Sequence, residues 1–151
     1  MDYRLEVVVV LVADVDRSKA FYADQVGFVV DVDFTPNEQY RVVQLTPPGS
    51  ACSITIGKGL SDMAPGTIKG LQMVVADIDD ARADLASRGV PVGPVQHHDG
   101  TGMVDGRGGD WNSFVFFSDP DGNSWTVQES PAMHAELVAA GTPGEAEVSP
   151  S

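Results

Sequence analysis

Cysteine and basic residues are scarce in this sequence, and each shortage excludes a class of protein. Cys52 is the one cysteine among 151 residues, so the chain forms no internal disulfide and no thiolate metal cluster. Its small or apolar neighbours are typical of a packing role. The chain has nine basic residues and 22 acidic ones, and its formal charge of −13 is spread along the sequence. A surface this negative repels phosphate groups, so we predict no nucleic-acid partner.

Long apolar runs are missing as well. No stretch approaches the roughly 20 consecutive apolar residues that a membrane helix needs. The start, Met-Asp-Tyr-Arg, leads into an apolar stretch without the basic segment of a secretory signal. We therefore predict a cytoplasmic protein without a membrane partner. Apolar residues still make up 42% of the chain, which is enough for a hydrophobic core.

An internal repeat is the most informative feature that is present. The segment at 12–16, Val-Ala-Asp-Val-Asp, recurs at 75–79 as Val-Ala-Asp-Ile-Asp. Each copy precedes a helical pattern that ends at a glycine, Gly27 or Gly89. A second match, between residues 46–53 and 119–126, follows in the same order. Two matches in one order indicate a duplicated unit.

Each copy predicts a strand, a helix and three further strands. We predict an α+β fold of two βαβββ modules in tandem, at 1–60 and 67–130, and a C-terminal extension at 131–151. The extension is predicted to hold a short helix over 133–140 and a disordered tail from residue 141. The glycine-rich segment at 96–111 is predicted to be a functional or mobile loop. The predicted strands are 7–12, 28–34, 40–45, 51–56, 69–75, 90–95, 112–118 and 124–129, and the predicted helices are 14–26 and 77–88.

Two motifs within these modules resemble the vicinal oxygen chelate family. They are Val-Ala-Asp-Val-Asp-Arg-Ser-Lys-Ala-Phe-Tyr at 12–22 and Asp-Pro-Asp-Gly-Asn at 119–123. The family includes glyoxalase I, extradiol dioxygenases and bleomycin resistance proteins, and the resemblance covers about residues 4–129. It implies two mixed, curved sheets that enclose a cleft, and a homodimer, since family clefts commonly use two chains. The family hosts many reactions, so the resemblance specifies the fold more closely than the activity.

The resemblance also locates the positions of the family's metal ligands. They fall on Val7 and Gly70 in the first strands and on Ser53 and Thr126 in the fourth strands. None of the four offers a carboxylate or an imidazole, which a divalent ion needs to offset its dehydration. We therefore predict no metal and no cofactor. Glu129 lies three residues beyond Thr126, on the opposite face of the strand, and is interpreted as structural.

Strand alternation predicts a neutral set of side chains in the cleft. Its polar members are amides and hydroxyls, which suit a polar or aromatic small molecule. Alternatively, these groups hydrogen-bond to each other or to water. The predicted ligand-binding members are Ser53, Thr55, Gln72, Thr126 and Gln128.

Three further kinds of side chain are candidates for the site. Arg41 would neutralise a ligand carboxylate, or else pair with an acid at the rim of the sheet. Trp111, in the long loop, would cover an aromatic ligand. His97 and His98 precede Asp99, and an imidazole beside a carboxylate can act as a general base. Adjacent strand residues face opposite ways, so at most one of these histidines faces the cleft.

Two hypotheses of function follow. The first is a glyoxalase-like, metal-independent protein that sequesters a drug or metabolite, as bleomycin-resistance-like relatives do. The alternative is a metal-independent lyase, isomerase or cyclase in which a loop histidine is the base. A neutral cleft without metal ligands favours the binding protein.

Overall fold

The computed structural model describes the backbone of residues 1–148 and the side chains of residues 1–141. Two mixed sheets, here named sheet A (order β1-β4-β3-β2) and sheet B (order β5-β9-β8-β6-β7), confirm the predicted α+β class. In both sheets the first strand of the half pairs in parallel with the last one. The elements in chain order are β1 (Val7–Val9), α1 (Val15–Ala20) with a π-helical continuation (Phe21–Val26), β2 (Val29–Asn37), β3 (Tyr40–Thr46), β4 (Ser53–Lys58), β5 (Leu71–Val75), α2 (Ile78–Ser87), β6 (Gln96–His98), β7 (Met103–Asp105), β8 (Phe114–Ser118), β9 (Ser124–Glu129) and α3 (Pro131–Val148).

Aspartates begin the first two helices, as the sequence predicts. The carboxylate of Asp14 accepts a hydrogen bond from the backbone N–H of Arg17, and that of Asp77 accepts one from Asp80. These bonds satisfy N–H groups that have no partner within the helix. Gly27, with φ of 96°, ends the first helical segment in the left-handed conformation that glycine adopts without strain.

One face of each sheet packs into a common hydrophobic core. Alternate residues such as Val43 and Leu45 of sheet A and Val115 and Val127 of sheet B are fully buried there. The core therefore joins the two halves of the chain. We call the opposite side of each sheet its outer face, and the outer faces carry the candidate site.

The Asp-Pro-Asp-Gly-Asn turn links the two halves by polar contacts. The side-chain amide of Asn123 donates to the carbonyl of Leu11 at 3.0 Å, and a carboxylate oxygen of Asp121 accepts from the N–H of Ala13 at 3.1 Å. The hydroxyl of Tyr22 donates to the buried carboxylate of Asp119 at 2.7 Å. The hydrogen bonds of this turn therefore hold the two halves of the chain together.

The second half departs from the sequence prediction between the helix and β8. Residues 90–95 do not form the predicted strand, because Pro91 and Pro94 have no N–H to donate to a sheet. The strands instead lie at β6 and β7, within the segment predicted to be an irregular loop. Helix α3 runs to Val148, beyond the predicted end at residue 140, and residues 149–151 of the predicted tail lie outside the described residues.

Candidate ligand-binding site

The outer face of sheet B brings amide, hydroxyl and aromatic side chains together. Gln72 of β5 lies opposite Thr126 of β9, and Gln128 lies opposite Phe114 of β8. The rings of Phe114 and Phe116 stack along β8 with centroids 6.2 Å apart and planes at 15°. Three of the predicted ligand-binding residues therefore share one face with an aromatic pair, which the sequence placed either in the core or in the cleft wall.

Gln72 and Gln128 form a relay of hydrogen bonds on this face. The amide N–H of Gln72 donates to the side-chain oxygen of Gln128 at 2.7 Å. The amide N–H of Gln128 in turn donates to the backbone carbonyl of Trp111 at 2.8 Å. Trp111 is thereby held at the edge of the face, where its side chain is about half exposed.

A shallow cavity of about 450 Å³, open to solvent, lies at the β8–β9 end of sheet B. Asp119 is its one charged lining residue among those described, and its carboxylate accepts hydrogen bonds from Tyr22, Asn123 and the N–H of Asp121. With those bonds made, the cavity offers a ligand neutral polar and apolar surface in similar measure. The lining residues are Pro91, Phe116, Phe117, Ser118, Asp119, Ser124, Trp125 and Thr126.

The outer face of sheet A holds the remaining predicted polar residues. Ser53 and Thr55 lie on β4 opposite Val7 and Val9 of β1, and both polar side chains are buried among their neighbours. The Ser53 hydroxyl is 2.6 Å from that of Thr46. In this single chain Ser53 thus bonds within its own sheet, which is the alternative that the sequence left open.

Arg41 takes the second of its two predicted arrangements. It lies two residues before Val43 and four before Leu45 on β3, so its side chain points to the same side of the sheet as these core residues and not to the outer face. The guanidinium contacts Asp33 at 2.9 Å and Asp16 at 2.7 Å. The hydrogen bonds that Asp33 accepts from Arg41, and to a smaller extent from Lys19, hold the pKa of Asp33 well below its usual range. Arg41 pairs with acids at the rim of the sheet.

The two loop histidines make local contacts with the backbone. Nδ1 of His97 donates to the carbonyl of Gly106 at 2.9 Å, which leaves the lone pair of the neutral ring on Nε2. Nδ1 of His98 accepts from the N–H of Gly100 at 3.0 Å, so the neutral ring of His98 carries its proton on Nε2. In the neutral rings, the lone pair of His98 is thus already used by Gly100, whereas that of His97 makes no hydrogen bond to a described residue.

Asp99 is occupied by the turn that follows it. Its carboxylate accepts hydrogen bonds from the hydroxyl and N–H of Thr101 and from the N–H of Gly102. These bonds, chiefly that of the hydroxyl, lower the pKa of Asp99 to about 2. In the described part of the chain, no hydrogen bond joins this carboxylate to either imidazole, so the predicted acid–base pair is not assembled.

Arg107 fastens the loop to the body, a role that the sequence analysis did not assign. Its guanidinium lies 2.8 Å from Asp79 at the start of α2 and 2.7 Å from Glu129 at the end of β9. Glu129 also accepts the N–H of Ile78. The predicted structural role of Glu129 agrees with these contacts. Because Arg107 lies in a loop without periodicity, only the structure could reveal its partners.

Comparisons with known proteins identify the family. Residues 4–127 match the model of the Glyoxalase/Bleomycin resistance protein/Dioxygenase superfamily. The chain belongs to this superfamily. A search of the curated proteins returned no match.

Solved structures of similar proteins cover nearly all of their own length. TnmS3 from Streptomyces sp. CB03234, described as an antibiotic binding protein, is 30% identical over 85% of this chain and 97% of its own, with a TM-score of 0.69. A glyoxalase/bleomycin resistance protein from the same organism is 31% identical over 83% of this chain and 99% of its own, with a TM-score of 0.65. A superfamily member from Sphaerobacter thermophilus DSM 20745 is 25% identical over 85% and 98%, with a TM-score of 0.68.

The residues at the superfamily's metal positions do not fit a divalent ion. Val7 lies opposite Ser53 in sheet A, but in sheet B the residue opposite Thr126 is Gln72 and not the predicted Gly70. The strand pairing therefore corrects that position by two residues. The resulting set holds one apolar side chain, two hydroxyls and an amide, which are poor ligands without a carboxylate or imidazole. Among the described residues, no group of three or more His, Cys, Asp or Glu side chains is placed to hold a metal.

None of the described helices combines the length and the apolar character that crossing a bilayer requires.

Proposed function

We propose that the protein sequesters a small, partly aromatic molecule of the antibiotic kind on the outer faces of its sheets, without a metal ion and as a homodimer. The observation that carries the proposal is the set of aromatic and neutral polar side chains on the outer face of sheet B, among them Phe114, Phe116 and Gln128. Beside the open cavity of about 450 Å³, these groups suit the binding of a polar aromatic molecule more than acid–base chemistry. The similarity to TnmS3 supports the same class of function.

The distribution of exposed apolar residues supports the dimer. Phe34 is 59% exposed and Val32 is 41% exposed on the outer face of sheet A, and Val74 and Phe116 are exposed on that of sheet B. Apolar surface of this kind on a soluble chain commonly marks an interface or a ligand site. A second copy that faces these residues would cover them and enclose the cavity.

Ligand binding is tested with EDTA-treated protein by isothermal titration calorimetry. The probes are bleomycin, doxorubicin and proflavine, which span a glycopeptide, an anthracycline and a planar aromatic cation. We expect saturable binding of at least one aromatic probe, unchanged by added Zn²⁺ or Mn²⁺, and recovery of the probe with its original mass. No binding of any probe, or binding that requires the metal, would contradict the proposal.

A pair of charge substitutions places the binding on sheet B. Thr126→Glu puts a carboxylate in the cavity, where desolvation is costly, so we expect at least a tenfold loss of affinity. Thr67→Glu adds the same charge at an exposed position outside the cavity and serves as the matched control. Equal effects of both substitutions would assign the loss to overall charge and not to the cavity.

The enzymatic alternative is tested with the same samples. The feature that favours an enzyme is Nε2 of His97, which carries the lone pair of the neutral ring because Nδ1 donates to the carbonyl of Gly106. Conversion of a probe by the parent protein and its loss in His97→Ala would favour the enzyme. Unchanged probes with both proteins would favour sequestration.

A further inference from the structure

Trp111 has a backbone conformation that is unusual for its residue type. With φ of 61°, it is the one non-glycine residue with positive φ in the part of the chain that the structure describes. A bulky L-residue in this region is strained, and such strain persists only where the surroundings hold it. The contacts that hold Trp111 therefore indicate what its conformation is for.

Side-chain hydrogen bonds hold the backbone of Trp111 on one side and its neighbour Asn112 on the other. Gln128 donates to the carbonyl of Trp111 at 2.8 Å, and Gln72 fixes Gln128 at 2.7 Å. On the other side, Asn112 accepts from the N–H of His98 at 2.8 Å and donates to the carbonyl of His98 at 2.9 Å. The first set lies on the outer face of sheet B and the second joins the loop to β6.

The indole of Trp111 is left open, since these bonds hold the backbone that carries it. It is 47% exposed, and among the described residues it makes no ring stack and its N–H has no hydrogen-bond acceptor. The stacked rings of Phe114 and Phe116 lie on the same outer face as Gln128. An aromatic ring whose backbone is already fixed loses little freedom when a ligand stacks on it, so it adds more affinity than a mobile one.

We propose that Gln128, held by Gln72, is a positioning residue that presets Trp111 for stacking on a planar aromatic ligand. This inference rests on the proposed function, because it names the chemical class of ligand for the same face. It assigns the two glutamines to the support of the tryptophan and not to direct readout of the ligand.

Positioning is tested first without a ligand, by NMR relaxation of the tryptophan indole N–H groups. Gln128→Leu keeps the side-chain size but cannot donate, so we expect the heteronuclear NOE of the Trp111 indole to fall. Gln72→Leu should give an intermediate value. Gln39→Leu, in the exposed turn between β2 and β3, is the matched control and should leave the NOE unchanged. The buried Trp125 indole reports whether each variant is folded, and Trp111→Phe assigns the signals.

Proflavine binding to the same variants is the second measurement. We expect Gln128→Leu to weaken binding at least fivefold and Gln39→Leu to leave it unchanged. An unchanged NOE in Gln128→Leu overturns the positioning role, and a lowered NOE with unchanged affinity overturns its link to the ligand. If the parent protein binds no proflavine, the planar aromatic class is wrong, while the NOE still decides whether Gln128 positions Trp111.

Discussion

At the scale of single residues, Trp111 allows a direct measurement of backbone strain. Trp111→Ala keeps a Cβ in the left-handed conformation, whereas Trp111→Gly removes it. The two variants lose the same indole, so their difference reports the backbone alone. We expect the glycine variant to be more stable by about 1 kcal/mol in urea unfolding. Equal stabilities would mean that residue 111 relaxes out of this conformation once the indole is gone.

Tyr22 gives a prediction about pH. Its phenol is buried, donates to Asp119 and accepts from Trp125, and burial followed by the charge of Asp119 raises the pKa of Tyr22 above its ordinary value. A pKa raised by folding means that the neutral phenol stabilises the protein, fully below pH about 10 and less as the pH rises above it.

Tyr22→Phe tests this directly. Loss of the hydroxyl leaves Asp119 with one donor fewer, so we expect the free energy of unfolding at neutral pH to fall by about 1–3 kcal/mol. The gap between parent and variant should narrow above pH 10. A gap that is constant from pH 7 to pH 11 would show that Tyr22 ionises alike in the folded and unfolded chains.

At the scale of elements, the Arg107 contacts hold the segment between β7 and β8. Arg107→Ala removes the ion pairs to Asp79 and Glu129, so we expect faster amide hydrogen exchange at Gly108 and Asn112 with unchanged exchange in β9. Arg4→Ala, at an exposed position in the N-terminal segment, is the control. Equal exchange in Arg107→Ala and the parent protein would mean that the loop's other hydrogen bonds suffice.

Most elements could be predicted because the local chemistry determines them. Asp14 and Asp77 are good helix caps, and alternating apolar residues such as Val43 and Leu45 specify which face enters the core. The strand predicted at 90–95 is wrong because Pro91 and Pro94, which cannot donate to a sheet, outweigh the apolar residues around them.

The site was predicted only in part, for two physical reasons. The sequence repeat aligned Gly70 with Val7, but the connection from the first strand to the helix cap is two residues shorter in the second half, so Gln72 takes that place. The face of Arg41, by contrast, follows from its even spacing to the core residues Val43 and Leu45. The partners of loop residues, such as that of His97 in Gly106, depend on tertiary contacts that spacing does not encode.

At the scale of the whole molecule, charge and apolar surface act against each other. A formal charge of −13 keeps copies apart by long-range repulsion, which salt weakens. Exposed side chains on the outer faces, Phe34 above all, favour contact between copies. A stable contact needs about 800 Å² from each partner. We therefore expect dimerisation to strengthen as the salt concentration rises.

Light scattering coupled to size exclusion measures this balance. We expect the parent protein to elute at twice 16.0 kDa in moderate salt. Phe34→Asp places a charge on the outer face of sheet A and should elute as the monomer. Met63→Asp alters an exposed apolar residue outside both sheets and should remain a dimer. Near-ultraviolet circular dichroism checks that Phe34→Asp keeps the packing of Trp125. A parent protein that stays at 16.0 kDa at every salt concentration would mean that the outer faces meet only ligand or water, and the cavity on sheet B would then have to bind from a single chain.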